Sequence, residues 1–182
     1  MTFRLIDSAW EAEFLRARRT HPGALDLVCP FVQLGALQQI LMRQPSAQVR
    51  LITRYSMGDF AERVSDLQAL RLLVEGGGAV RGIRNLHAKL YLFGDAEVIT
   101  GSANLTGAAL QRNHELGFAS DDVAVLASCR SYFDELWEAS GPDLALEQVD
   151  HWQAQLQTYL ARGGRPRGVD DLPDYGVNLG LP

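Results

Sequence analysis

The stretch "AVRGIRNLHAKLYLFGDAEVITGS", residues 79–102, decides the fold class. It holds three apolar runs in quick succession: Ala79–Ile83, Leu86–Phe93 and Glu97–Ser102. Each is short, rich in aliphatic and aromatic residues, and bounded by Gly, Asn or Asp, which predicts strands. Gly94-Asp95 predicts a tight turn between the last two. Upstream, "LDLVCPF" (Leu25–Phe31) and "VRLIT" (Val49–Thr53) predict two more buried strands. Between them Leu34, Leu37 and Leu41 recur at helical spacing. Leu67, Leu70 and Val74 mark another helix, which Gly76-Gly77-Gly78 ends. Ser8-Ala9-Trp10-Glu11 has the form of a capping box and predicts a helix to about Arg19. Downstream, "NLTGAAL" predicts a helical turn and "NHELGFAS" (Asn113–Ser120) a further strand. Asp121 is placed to cap a long helix with the stripe Leu126, Cys129, Phe133, Leu136. A last helix carries Val149, Trp152, Leu156 and Tyr159. Strands that alternate with helices and then crowd together indicate an α/β/α sandwich with a mixed β-sheet.

At 182 residues the chain suits one domain, expected over residues 1–162. The remaining residues 163–182 turn to Gly, Pro and Asp without period and read as a tail, or as an arm lying on a partner protein. A net charge of -5 argues against a protein that coats nucleic acid indiscriminately, but leaves room for a restricted basic groove. No apolar run approaches the roughly 20 residues of a membrane span, and the N-terminus lacks the pattern of a secretory leader. Cys29 and Cys129 are too few for a disulfide framework and read as reduced, buried thiols. A cytoplasmic protein is therefore expected, with no cofactor.

Of the 17 basic residues, sixteen are arginines, and the single lysine is Lys89. On a strand, His87 and Lys89 would share a face. An imidazole beside an ammonium is awkward in a core, but it suits a site where an anion sits between them: lysine offers a compact charge for phosphate, and neutral imidazole a nucleophile or base near pH 7. Two fragments fit that picture. Gly101-Ser102-Ala103-Asn104 ends a strand and opens a helical turn, giving neutral donors where a ligand can approach the backbone. Asn113 and Glu115 would share a strand face, and the Glu115 carboxylate could accept from one nitrogen of His87 and fix its tautomer.

The three fragments H-A-K, G-S-A-N and N-H-E, with Ser102 fifteen and Glu115 twenty-eight residues after His87, resemble the signature of the phospholipase D superfamily, the HKD phosphodiesterases. Six prescribed residues at fixed spacing coincide by chance at roughly 10⁻⁸ per starting point. One departure is plain: the family motif wants Asp at position 94, where this chain has Gly94, with Asp95 next to it and able to take over a supporting role from the turn. The resemblance implies a metal-independent transfer in two steps through a phosphohistidine. His87 would be the nucleophile. Lys89, Ser102 and Asn104 would hold the non-bridging oxygens, and Glu115 would orient His87. Such chemistry needs a second histidine. His21, His114 and His151 have no lysine two residues on, so the resemblance to single-motif members implies a homodimer with one composite site.

Small single-motif members of the superfamily are mostly nucleases, so nucleic acid, DNA before RNA, is the expected substrate. Arg54, Arg84 and Arg112, with Arg81, are placed to line a backbone groove. Arg162, Arg165 and Arg167 could track phosphates or belong to a solvated tail. Restriction or phage defence is the setting that family analogy suggests. Two other readings stay open: a catalytically silent module that dimerises or binds nucleic acid, for which Gly94 speaks, and a phospholipid phosphodiesterase, which would need an exposed apolar rim.

Overall fold

A computed structural model describes residues 3–42, 44–161 and 172–180. Among them seven strands form one mixed sheet: β1 Phe3–Ile6, β2 Leu25–Val28, β3 Val49–Thr53, β4 Ala79–Gly82, β5 Leu90–Phe93, β6 Glu97–Gly101 and β7 Gly117–Ser120. Their order is β1-β7-β6-β5-β2-β3-β4. The β2–β3 and β3–β4 pairs are parallel, joined by helical crossovers, and the remaining pairs are antiparallel.

The helices are α1 Trp10–Thr20, α2 Leu34–Leu41, α3 Met57–Ala61, α4 Leu67–Glu75, α5 Gly107–Gln111, α6 Val123–Ala139 and α7 Leu146–Ala161. The apolar residues of β2 alternate sides: Leu25 and Leu27 pack against α1, α2, α4 and α7, while Val28 packs towards α6. The α/β/α sandwich is thus present but lopsided. On one face Trp10, Phe14, Leu37, Leu70, Ala109 and Trp152 bring in several helices. On the other, Leu126, Phe133 and Trp137 of α6 cover Leu90, Leu92 and Val98. Among the described residues no helix is long and apolar enough to cross a membrane.

Several local expectations are corrected. The first helix is not opened by a capping box. Ala9 takes the N-cap place in a left-handed conformation (φ 53°), which turns the Ser8 hydroxyl onto Asp7 instead of the first helical turn. The cap of α6 is Asp122, whose carboxylate accepts from Ala124 N and Val125 N at 2.9 and 3.0 Å. The β5–β6 connection takes three residues, Gly94–Ala96, with Gly94 at φ 58°. β1 and α3 carry too little periodic signal to stand out in the sequence. The strands expected to begin at Leu86 and Asn113 begin at Leu90 and Gly117, so His87, Lys89, Asn113 and Glu115 stand on the extended segments that lead into β5 and β7. Cys29 is buried and Cys129 half-buried, both as free thiols.

Of the expected tail, residues 172–177 lie back on the sandwich. Met57 N donates to Pro173 O at 3.0 Å, and Tyr175 stacks on Trp152 with ring centres 5.2 Å apart. Arg162, Arg165 and Arg167 fall outside the described residues.

Candidate active site

The chain leaves β4 at Gly82 and reaches β5 at Leu90. In between, Asn85 adopts a left-handed conformation (φ 57°), which asparagine tolerates better than most residues. Leu86 drops into the core on the α6 side. That anchor leaves His87 exposed and returns Lys89 to the interior. Lys89 Nζ donates to the His87 carbonyl at 2.7 Å, and the Lys89 carbonyl accepts from Thr100 Oγ1 at 2.7 Å. Burial draws the Lys89 ammonium below the usual lysine range, and Glu115 pulls in the opposite direction.

The second fragment sits where β6 ends. Gly101 is required by the sheet itself: a Cβ there would come within 2.5 Å of Gly117 Cα and 2.5 Å of the Leu116 carbonyl. The glycine therefore serves the close approach of β6 to β7 beneath Trp10, and it also lines the cavity described below. Ser102 follows. Its N–H donates to Leu116 O at 3.0 Å, and its hydroxyl accepts from Leu116 N at 3.0 Å. The same hydroxyl donates to Glu115 Oε2. The other Glu115 oxygen accepts from Asn113 Nδ2 at 3.1 Å. The Glu115 carboxylate is thus engaged by Ser102 and Asn113, not by His87, because Asn113–Leu116 form a loop beside Ser102 rather than a strand facing the histidine.

Asn104 is placed from behind by residues that no motif contains. The Cys29 thiol, fully buried, receives Leu105 N at 3.2 Å and Tyr91 O–H at 3.4 Å, and lies 3.7 Å from Asn104 Oδ1. Burial pushes the Cys29 thiol up, so it stays protonated and acts as a spacer. Tyr91 O–H also donates to Ala103 O at 2.7 Å, and Trp10 Nε1 donates to the Glu115 carbonyl at 3.3 Å. In the sequence these residues read simply as core.

His87, Lys89, Ser102 and Asn104 line one open cavity of about 700 Å³, with Thr100 beside them and Ser128, Cys129 and Tyr132 of α6 as the far wall. The volume suits a nucleotide-sized group. Three half-polar segments meet there around a buried cation whose one hydrogen-bond partner among the described residues is a carbonyl, an arrangement suited to an anion.

The arginines expected nearby are held elsewhere. Arg54 pairs with Asp59 at 3.2 Å and lies over the Phe31 ring. Arg84 Nε donates to Gly176 O at 2.9 Å. Arg81 pairs with Asp143 at 2.6 Å and stacks on Trp137. Arg112 and His114 line a separate hollow with Trp10 and Ala109. Asp95 is 94% exposed at the hairpin tip and pairs with Arg130 at 3.4 Å, at the end of β5 away from His87. The Gly94 carbonyl accepts from the same Arg130 at 2.9 Å. Among the described residues no three His, Cys, Asp or Glu side chains cluster as a metal site would.

The family model for the cardiolipin synthase, PLD-like domain matches residues 33–137, more than half of the chain. Among solved structures the chain is similar to NucT from Helicobacter pylori, at 16% identity with a TM-score of 0.64, over 79% of this chain and 99% of that one. It is also similar to Nuc from Salmonella typhimurium, a phospholipase D family member, at 17% identity with a TM-score of 0.65, over 79% and 97%. A third similar fold is TrmBL2, an archaeal chromatin protein with its own mode of DNA binding, at 14% identity with a TM-score of 0.56, over 78% of this chain and 54% of that one. No curated protein matches the chain.

Proposed function

This chain belongs to the phospholipase D-like family, and from that premise we propose that it is a metal-independent phosphodiesterase, most specifically a nuclease acting on DNA or RNA across a two-fold dimer. The observation that carries the reading is the convergence of His87, Lys89, Ser102 and Asn104, from two separate segments, on one cavity around a buried ammonium.

In this reading His87 attacks phosphorus. The N–P bond forms as the P–O bond to the leaving group breaks. His87 of a second copy gives its proton to the departing oxygen, then takes one from water. That water attacks phosphorus, the N–P bond breaks, and His87 is regenerated. Lys89, Ser102 and Asn104 stabilise the charge that builds on the non-bridging oxygens. Glu115, bonded to Ser102, orients that donor within one copy.

The uncovered part of the sheet supports a second copy. On the α6 side of β1 and β7, Phe3, Leu5 and Leu116 are exposed, and Phe3 stacks on Phe118 with ring centres 5.0 Å apart. Phe118 pairs across the sheet with Thr100, which lines the cavity. An apolar surface continuous with a site that holds one histidine of the required two is where a self-complementary contact completes it. Nucleic acid is favoured by a cavity open enough for a polymer and by the fold shared with DNA-binding TrmBL2.

That same likeness favours a second reading, a DNA-binding module without catalysis. One experiment separates the two: DNA, RNA and bis(p-nitrophenyl) phosphate are incubated with the protein in EDTA, beside His87→Ala. Cleavage that survives chelation and disappears in the variant, with a phosphorylated His87 trapped by mass spectrometry, supports the enzyme. Binding without cleavage supports the module, and a strict need for Mg²⁺ contradicts the proposed mechanism.

A further inference from the structure

Residues 173–177 belong to no helix or strand of the sandwich and lie beyond the residues that the family model matches. They nevertheless cross the ends of two neighbouring parallel strands. Beside β3, Tyr175 N donates to Tyr55 O at 3.0 Å, and Ser56 and Asp174 form an antiparallel bridge. Beside β4, Val177 N donates to Gly82 O at 2.8 Å and Arg84 N to Val177 O at 2.9 Å, so that Ile83 and Val177 form a parallel bridge. The segment is anchored at its centre by Tyr175, whose ring stacks on Trp152 at 11° and whose hydroxyl donates to Gln155 at 2.9 Å.

The second contact bears on chemistry. Ile83–Arg84 opens the segment that carries His87, and that segment has no strand partner of its own until Leu90. It is fixed downstream by Leu86 in the core and by the Lys89–Thr100 bond. Upstream, Ile83 N meets Thr53 O and the Ile83 side chain enters the core, and the C-terminal segment then holds the backbone of Ile83–Arg84. The fit there is tight: a Cβ on Gly176 would come 2.8 Å from Arg84 N and 2.8 Å from the Ile83 carbonyl carbon. The Arg84 guanidinium closes the contact on the Gly176 carbonyl.

We propose that Pro173–Val177 is a strap that positions the His87 segment, and that Arg84 is a positioning residue of this contact rather than a phosphate ligand. The proposal rests on the reading of His87 as nucleophile, because a nucleophile displaced by about 1 Å loses up to roughly 100-fold in rate.

The test uses the full chain and two variants. Gly176 is not in the left-handed region, so in Gly176→Ala the contact with Ile83–Arg84 is what suffers. Arg84→Met leaves the backbone untouched and removes the guanidinium bond. Both are expected to lower kcat on bis(p-nitrophenyl) phosphate by roughly 10-fold with KM nearly constant. Both should also speed hydrogen exchange at the amides of 85–89 while the melting temperature holds. Unchanged kcat and unchanged exchange overturn the strap. A raised KM with unchanged kcat in Arg84→Met overturns the assignment of Arg84 and returns it to the substrate. If Gly176→Ala fails to fold, Arg84→Met decides. If the wild-type chain cleaves nothing, the reading of His87 fails, and the exchange measurement still decides whether the strap holds this segment.

Discussion

Asp26 and Lys89 are both buried charges, 3% and 6% exposed, one near each end of β5. Their surroundings differ in kind. Asp26 receives Arg50 at 2.7 and 2.9 Å and also Arg130, whose second arm reaches the Gly94 carbonyl. The Arg50 guanidinium in turn lies 4.7 Å over the Phe133 ring. Glu97 repeats the pattern with Arg16, Arg4 and His21. Both of these carboxylates are closed off by partners within the chain. Lys89 has the carbonyl of His87 and an open cavity. A buried charge that the fold completes serves the fold, and one left facing a cavity is poised for an external counter-charge.

The largest expected break in this comparison comes at the histidine. His87→Ala should cost at least about 1,000-fold in turnover, as loss of a nucleophile does, while the melting temperature stays within experimental scatter because His87 is exposed. Turnover assays and calorimetry on the same preparation check both halves. Next comes Lys89→Met, expected to lose on the order of 10²-fold in turnover and yet to melt no lower than the wild type, since it removes an under-compensated buried charge. Lys89→Arg should likewise fold and lose most of its activity, because a guanidinium is too large for the place; near-normal turnover there would show that the compactness of the charge is irrelevant.

Asp26→Ala should do the reverse of Lys89→Met. It should destabilise the fold by about 3 kcal/mol, the lower part of the range for breaking a buried pair, because Arg50 and Arg130 keep some access to water. Urea unfolding measures it, and turnover per folded molecule should hold. Lys89 also sets an expected pH dependence. Its folded-state pKa lies below its unfolded value, so the penalty for burying the ammonium is present in full below the folded value. Stability gains as pH rises through the window up to about 10.5. Activity changes the other way, and the alkaline limb of kcat/KM should fall below pH 10.5 in wild type and be absent in Lys89→Met. The smallest effect belongs to Asp95→Ala at the exposed hairpin tip, expected within about 0.5 kcal/mol and at full turnover. A large loss there would mean that Asp95 supports the site after all.

Much of the fold was legible because short apolar runs bounded by turn residues announce buried strands. β3 is "VRLIT" residue for residue, and α2 and α4 follow their leucine stripes. The expectations failed where a polar residue could serve either of two local geometries. Ser8 and Glu11 fit a capping box until Ala9 turned left-handed. Asp121 was the expected cap of α6, and the hydrogen-bond geometry gives that place to its neighbour Asp122. At the site, spacing suggested His87 and Lys89 on one strand and Glu115 on another, whereas all three stand on the segments before those strands.

The sequence by itself singled out the side chains proposed to do chemistry here, because the residue types and their spacing are written in the chain. It also determined the sandwich, because apolar alternation dictates which faces must be buried. Only the tertiary structure decided that Glu115 bonds Ser102 and not His87, that Cys29 and Tyr91 back Asn104, and that the C-terminal segment holds Arg84. Those contacts join residues between 12 and 92 positions apart, and no local pattern encodes them. They are set by how the sheet closes, with Gly101 and Gly117 drawn together beneath Trp10 at one point and the ends of β3 and β4 left bare for a strap at another.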